Sequence, residues 1–122
     1  MHRMALIQAR NQTKDLPIAD SVTVATSIWS RFWGLMGRSR LVDGHGMHIT
    51  PCSSIHMFFM RFAIDVIFLD KSLKVTKVVH EIKPWRMALG GGGHSALELP
   101  VGAAVAAHVE VGDVIEFSPA GA

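Results

Sequence analysis

The chain has 122 residues, of which 49% are hydrophobic and 18% are charged, and its formal net charge is +2. A chain of this length can bury one hydrophobic core but not two, so we expect a single domain spanning residues 1–122. The basic residues are scattered and no RRM, zinc-finger or KH signature occurs, so we expect no binding to nucleic acid.

The cysteine and histidine content bears on cofactors. Cys52 is the only cysteine, so neither an intramolecular disulfide nor a cysteine-based zinc site can form. The seven histidines include no HxH pair on a strand and no HExxH motif, so we expect no metal and no other cofactor.

Hydrophobic runs bear on localisation. No stretch of about 18 apolar residues is present to span a bilayer, and the apolar run at the N-terminus is too short for a signal peptide. We therefore expect a soluble, cytoplasmic protein that does not bind membranes.

The first third of the chain predicts two short strands and one helix. Residues 4–9 form a short apolar run typical of a strand, residues 11–20 with Pro17 resemble a loop, and residues 21–26 alternate in the manner of a half-buried strand. The helix prediction depends on an apolar face at positions i, i+3, i+4 and i+7, formed by Trp29, Phe32, Trp33 and Met36.

The apolar centre of the chain, residues 54–70, predicts two buried strands. The first begins at Ile55, the chain bends near 61–63, and the second strand covers 64–69. A turn at 70–72 leads to an antiparallel return strand over 74–80, whose valines predict burial on most of both faces.

The last third predicts a loop and two further strands. Four consecutive glycines at 90–93 indicate a mobile surface loop, because no Lys or helix signal follows them as a phosphate-binding loop requires. Residues 96–99 and 114–117 favour strands, with a short helix or loop over 103–108. About eight strands and no βαβ repeat predict a mainly β protein, a small β-sandwich or distorted β-barrel with the amphipathic helix packed over one end.

Three blocks of residues resemble the DUF192 family of small bacterial and archaeal domains of unknown function. The blocks are Arg31 with residues 34–36, the run from Ile55 to Asp70, and residues 97–102 followed by Gly112 and Asp113. The resemblance covers roughly residues 20–117 and implies a compact, mostly β fold. It implies no activity, because none is established for the family.

Two acidic residues lie inside otherwise apolar strands and allow two interpretations. Asp65 and Glu98 in one cavity could act as acid and base, with His56 completing a small hydrolase or lyase. The alternative, which we favour, is that each accepts backbone N–H groups or pairs with an arginine such as Arg31 or Arg61, since buried charge requires a partner. Cys52 and His56 as nucleophile and base lack an oxyanion-hole signal, so an inert cysteine is favoured.

The favoured functional hypothesis is a non-catalytic binding or accessory module. Trp85 and Arg86 precede the glycine loop and could bind a small polar ligand or a peptide segment. The hypothesis predicts a polar concave surface, and the enzyme alternative requires Asp65, Glu98 and His56 to converge in an open pocket. The candidate binding residues are His56, Arg61, Asp65, Trp85, Arg86 and Glu98.

Overall fold

A computed structural model describes residues 6–26, 41–57 and 60–119 of the chain. The helix predicted over 29–36 lies outside the described residues. Nine strands and one short helix are described. The strands are β1 (Leu6–Asn11), β2 (Leu16–Ala25), β3 (His45–Ile49), β4 (Ser54–His56), β5 (Ile64–Leu69), β6 (Val75–Ile82), β7 (Met87–Leu89), β8 (Ser95–Leu99) and β9 (Ile115–Pro119), and the helix is α1 (Ala103–Ala106).

Seven of these strands form one sheet in the order β6-β5-β8-β3-β2-β1-β9. All neighbours are antiparallel except β2 and β3, which are parallel. The sheet curls so far that its two outer strands meet, through a bridge between Lys74 and Val114. The mainly β prediction is therefore confirmed, in the form of a curled half-barrel.

The curled sheet has a hydrophobic core on each face. Along β5 the side chains alternate, so that Ile67 and Leu69 point inside the curl while Val66 and Phe68 point outside. All six residues of β5 are buried, because both faces are covered. We call the two clusters the inner core, which also contains Val22 and residues of β1, β8 and β9, and the outer core.

The chain after β8 packs against the inner core. Ala104 of α1 and Ala107 and Val109 after it belong to that core, so residues 100–109 act as a plug. Gly102 adopts φ +94 where the chain turns into α1, a conformation that glycine accepts without steric cost.

A polar cluster binds the turn between β1 and β2 to this plug. Asn11 is wholly buried and donates its amide to the Ala107 carbonyl at 3.0 Å and to Asp113 Oδ2 at 3.1 Å. Lys14 pairs with both Asp113 and Glu110. Burial by itself raises the pKa of the Asp113 carboxyl, but hydrogen bonds from the Glu110 N–H and from the Asn11 and Lys14 side chains lower it below its ordinary value.

Two expectations about strands were wrong for the same physical reason. Pro17 lies inside β2 and not in a loop. Residues 16–20 of β2 extend beyond the part that pairs with β3, so no strand pairs with Pro17 on that side. A proline, which has no N–H to donate, is therefore accepted there. β6 is only half-buried along most of its length, since it lies at the edge of the sheet. Edge position is set by strand order, which local patterns do not encode.

The glycine run is a tight turn that packs on the outer core. Gly90 is buried, and the Gly93 N–H donates to the Gly90 carbonyl at 3.1 Å. A Cβ at position 90 would lie 2.7 Å from both Phe68 Cδ1 and the Ser53 carbonyl oxygen. Of the four glycines in this run, only Gly91 and Gly92 face open space. The glycine run therefore lies between strands, as the loop prediction states, but its first glycine is required by packing, which the sequence does not indicate.

We expect Gly90→Ala to lower the free energy of unfolding by about 2 kcal/mol, because an added methyl group must displace both a ring and a backbone carbonyl. Urea denaturation followed by circular dichroism measures the change. Gly93→Ala is the matched control, since its nearest atoms would be at 3.2 Å or more. Equal losses for the two variants would contradict the packing argument.

Candidate functional site

A two-stranded ribbon, formed by β4 and β7, covers part of the outer core. Ser54 pairs with Leu89, Ile55 with Ala88, and His56 with Met87. Ile55 and Ala88 point inward and belong to the outer core. The opposite face of the ribbon is therefore directed away from that core.

Asp65 lies on the inner face of β5 and is 1% exposed. Its Oδ1 accepts the Glu81 N–H at 2.9 Å, and its Oδ2 accepts the N–H groups of Gly102 and Ala104 at 3.0 and 3.2 Å. These three donors belong to β6 and to the plug. One carboxylate therefore fastens the plug to the edge of the sheet, as the backbone-acceptor interpretation predicts.

Glu98 is wholly buried and lies on the opposite face of the sheet. The register pairs Asp65 with Leu99 and Val66 with Glu98, and directly paired residues share a face. Glu98 is therefore on the face of Val66, within the outer core, whereas Asp65 is on the face of Leu99. The two carboxylates lie on opposite sides of β5 and β8 and do not share a cavity.

The other four predicted site residues are placed at or near one end of the ribbon. The Trp85 N–H donates to the Met57 carbonyl at 2.7 Å, and the Met57 N–H donates to the Arg86 carbonyl at 2.8 Å. His56 precedes this contact in the chain. Arg61 is exposed, and the N–H of Met60, which precedes it, donates to the Met57 carbonyl at 3.2 Å.

An apolar row on the ribbon was not predicted. Trp85, Met87 and Leu89 are 60%, 60% and 67% exposed, although each is large and hydrophobic. Met87 and Leu89 occupy alternate positions on β7, so their side chains project on the same side, opposite to Ala88, and Trp85 lies in the turn that leads into this strand. The sequence did not indicate this strand, because β7 has only three residues and lies beside a glycine run.

A pocket of about 240 Å³ lies along the ribbon and the segment that leads into it. Cys52 lies in its wall and is structurally engaged, since its thiol donates to the Ser54 carbonyl at 3.0 Å and its N–H donates to the His94 carbonyl at 2.7 Å. The lining residues are Ile49, Pro51, Cys52, Ser53, Ser54, Ile55 and His56.

His48 is a further buried polar group that sequence reasoning did not single out. It is 8% exposed on β3, and its ring stacks on Phe117 with a centroid distance of 4.4 Å. Burial lowers the pKa of His48 to about 4. Within the described part of the chain, His48 Nε2 has no hydrogen-bond partner, so this histidine is accommodated as a neutral ring.

The described residues contain neither a cluster of metal-binding side chains nor a membrane-spanning helix. In ranges 6–26, 41–57 and 60–119, no group of three or more His, Cys, Asp or Glu side chains is close enough together to hold a metal ion. None of the helices in those ranges is long and apolar enough to cross a membrane.

The fold and the site together define a class of small β domains, with a curled sheet, a plug fastened by a buried carboxylate and an outer ribbon. Comparison with solved structures supports the fold. A Sinorhizobium meliloti protein provisionally described as a transcription regulator has a TM-score of 0.78 at 18% identity, covering 95% of each chain. A Novosphingobium aromaticivorans protein of unknown function has a TM-score of 0.74 at 21% identity, covering 93% of this chain and 84% of its own.

The chain belongs to the DUF192 family, whose model, described as "Uncharacterized ACR", matches residues 8–117. A UPF0127 protein from Thermococcus sibiricus is 37% identical over 113 residues, covering 88% of this chain and 72% of its own length. A UPF0127 protein from Pyrococcus abyssi is 34% identical over 114 residues, covering 88% and 94%. The match begins before residue 20, where the resemblance began, and so includes residues 8–11 of β1, a strand that pairs with both β2 and β9.

Proposed function

We propose that this protein is a non-catalytic binding module that holds an extended peptide segment against the β4–β7 ribbon. The observation that carries the proposal is the exposed row of Trp85, Met87 and Leu89. Large apolar side chains that are exposed together mark interaction sites more often than isolated ones do. An extended peptide matches the spacing of Met87 and Leu89 on β7, because its own side chains also recur on one face at every second residue.

The size of the neighbouring pocket favours a peptide over a whole small molecule. Sites for drug-sized ligands usually enclose roughly 300–1,000 Å³. The pocket beside the ribbon encloses about 240 Å³, which suits one or two side chains of a bound segment. In this arrangement the apolar row contacts the segment and the pocket accepts one of its side chains.

The positions of the two carboxylates support binding over the hydrolase or lyase alternative. That alternative uses Asp65 and Glu98 together, but they occupy opposite faces of the sheet. Asp65 is also occupied by three backbone donors. Neither carboxylate lies in the exposed row, so the ribbon binds through apolar contacts and backbone groups.

A selection of random twelve-residue peptides displayed on phage, carried out on immobilised protein, tests this function. We expect enriched peptides to lose at least about tenfold in affinity for the Trp85→Ala, Met87→Ala double variant, because burying each side chain contributes roughly 1.5–3 kcal/mol. Fluorescence anisotropy of the synthesised peptides gives the affinities. Both side chains are more than half exposed, so the variant should keep its fold.

Val105 and Val111 provide the control, because they are 64% and 66% exposed but lie on or beyond the plug. The double variant Val105→Ser, Val111→Ser should bind the same peptides as the unsubstituted protein does. The proposed function would be wrong if no peptide is enriched, or if the ribbon and plug variants bind equally well.

A further inference from the structure

We propose that the segment bound at the ribbon is acidic, with Asp or Glu side chains alternating with apolar ones. This inference rests on the proposed function and adds the chemistry of the ligand. It follows from the charges that surround the apolar row.

Three cations near the ribbon have no acidic partner. Arg61, Lys83 and Arg86 are exposed, and in the described part of the chain none of them forms an ion pair. By contrast, Arg10 and Lys14 are paired with nearby carboxylates. The positive charge at the ribbon is therefore not neutralised by direct contacts within the described residues.

The cations lie at both ends of the apolar row. Lys83 and Arg86 flank the turn that contains Trp85, since the Arg86 N–H donates to the Lys83 carbonyl at 3.3 Å. At the other end, Lys77 Nζ donates to the Leu89 carbonyl at 2.9 Å and so holds a fourth positive charge beside the row. A bound segment would therefore meet positive charge at both ends of the row.

Acidic residues are scarce in the same region. The sequence has no Asp or Glu between residues 44 and 64 or between 82 and 97. Four acidic residues bound these stretches: Asp43 and Glu81 are exposed, whereas Asp65 and Glu98 are buried. Two exposed acids against four cations leave a net positive charge around the ribbon, which favours a partner of opposite sign.

Among acidic partners, a peptide is favoured by the combination of apolar side chains and flanking cations on this surface. Met87 and Leu89 are aliphatic, so they offer no aromatic face for stacking successive bases, and Trp85 is the one aromatic residue of the row. A peptide with alternating side chains places its apolar residues on the row and its carboxylates toward the flanking cations. Nucleic acids and anionic membranes share the negative charge but not this alternation.

The selected peptides themselves give the first test. We expect the enriched sequences to be rich in Asp and Glu, and their affinity to fall about tenfold between 50 and 500 mM salt, as exposed charges become screened. Lys83→Glu with Arg86→Glu should weaken binding by at least about tenfold. Lys71→Glu with Lys74→Glu, an equal charge change on the exposed β5–β6 turn, should have little effect.

Each outcome separates this inference from the proposed function. Enriched peptides that are neutral or basic, or that are insensitive to salt and to the ribbon charges, would overturn the acidic ligand and leave the binding function intact. Failure to enrich any peptide would overturn both. Tighter binding to a single-stranded oligonucleotide or to phosphatidylserine vesicles than to the peptides would also overturn the inference, because it would assign the surface to another acidic partner.

Discussion

Replacing Asp65 by alanine is expected to lower the free energy of unfolding by about 3–5 kcal/mol. The carboxylate accepts three backbone N–H groups, from Glu81, Gly102 and Ala104, and the side chain is almost completely buried. Removing it leaves these donors without their acceptor in a region that water reaches poorly. The plug then loses its attachment to β6, so the loss affects the inner core as well.

Urea denaturation followed by circular dichroism and by tryptophan fluorescence measures this effect. Asp65→Asn should be less damaging, because it keeps one acceptor oxygen, although its amide then faces a backbone donor. Asp70→Ala is the control. Asp70 also accepts two backbone N–H groups, from Ser72 and Lys74, but it does so in an exposed turn where water can replace it, so a loss of about 1 kcal/mol is expected. Similar losses at Asp65 and Asp70 would contradict the role of burial.

Acidification from pH 6.5 to pH 4 is expected to destabilise the protein by about 3 kcal/mol through His48 alone. The pKa of His48 falls from its ordinary value of 6.5 to about 4 in the folded state, because burial disfavours the charged ring. Between these two pH values the unfolded chain binds a proton that the folded protein does not. Stability is therefore complete above pH 6.5 and declines as the pH falls toward 4.

Comparison with His48→Phe isolates this contribution. Phenylalanine can keep the stacking contact with Phe117 but cannot titrate, so the variant should lose the His48 part of the pH dependence. Thermal or urea unfolding at half-unit pH steps gives both profiles. Asp113 contributes at lower pH, because its pKa is held below the ordinary value for Asp, near 3.8. If the stability of the unsubstituted protein and that of His48→Phe fall equally between pH 6.5 and 4, the folded His48 is not protected from protonation.

The sequence predicted the type of most elements but not how they are arranged. Residues 64–69 and 96–99 formed strands as predicted, since their apolar content and bounding turns are local properties. Pro17 was assigned to a loop because proline disfavours paired strands, and only the strand order shows that this part of β2 has an open side. Strand order results from contacts between residues distant in sequence.

Contacts between residues distant in sequence also decide how the candidate site is arranged. Polar residues within apolar strands correctly marked Asp65 and Glu98 as unusual, and the favoured interpretation for Asp65 matches its three amide donors. Whether the two carboxylates meet depends on the β5–β8 register, and a shift of one residue would have reversed the answer. The apolar row was missed because Met87 and Leu89 acquire significance only when the ribbon lifts them away from the core.

The contact between the ends of β6 and β9, which we call the seam, affects how the sheet can deform. Three backbone hydrogen bonds hold it, from Val75 to Asp113, from Gly112 to Val75 and from Ile115 to Leu73, whereas the β5–β8 ladder runs over five residue pairs. Of these two lines, the one with fewer hydrogen bonds yields first. Opening of the sheet along this seam therefore also involves the ribbon, because Thr76 and Lys77 of β6 donate side-chain hydrogen bonds to the carbonyls of Gly90 and Leu89.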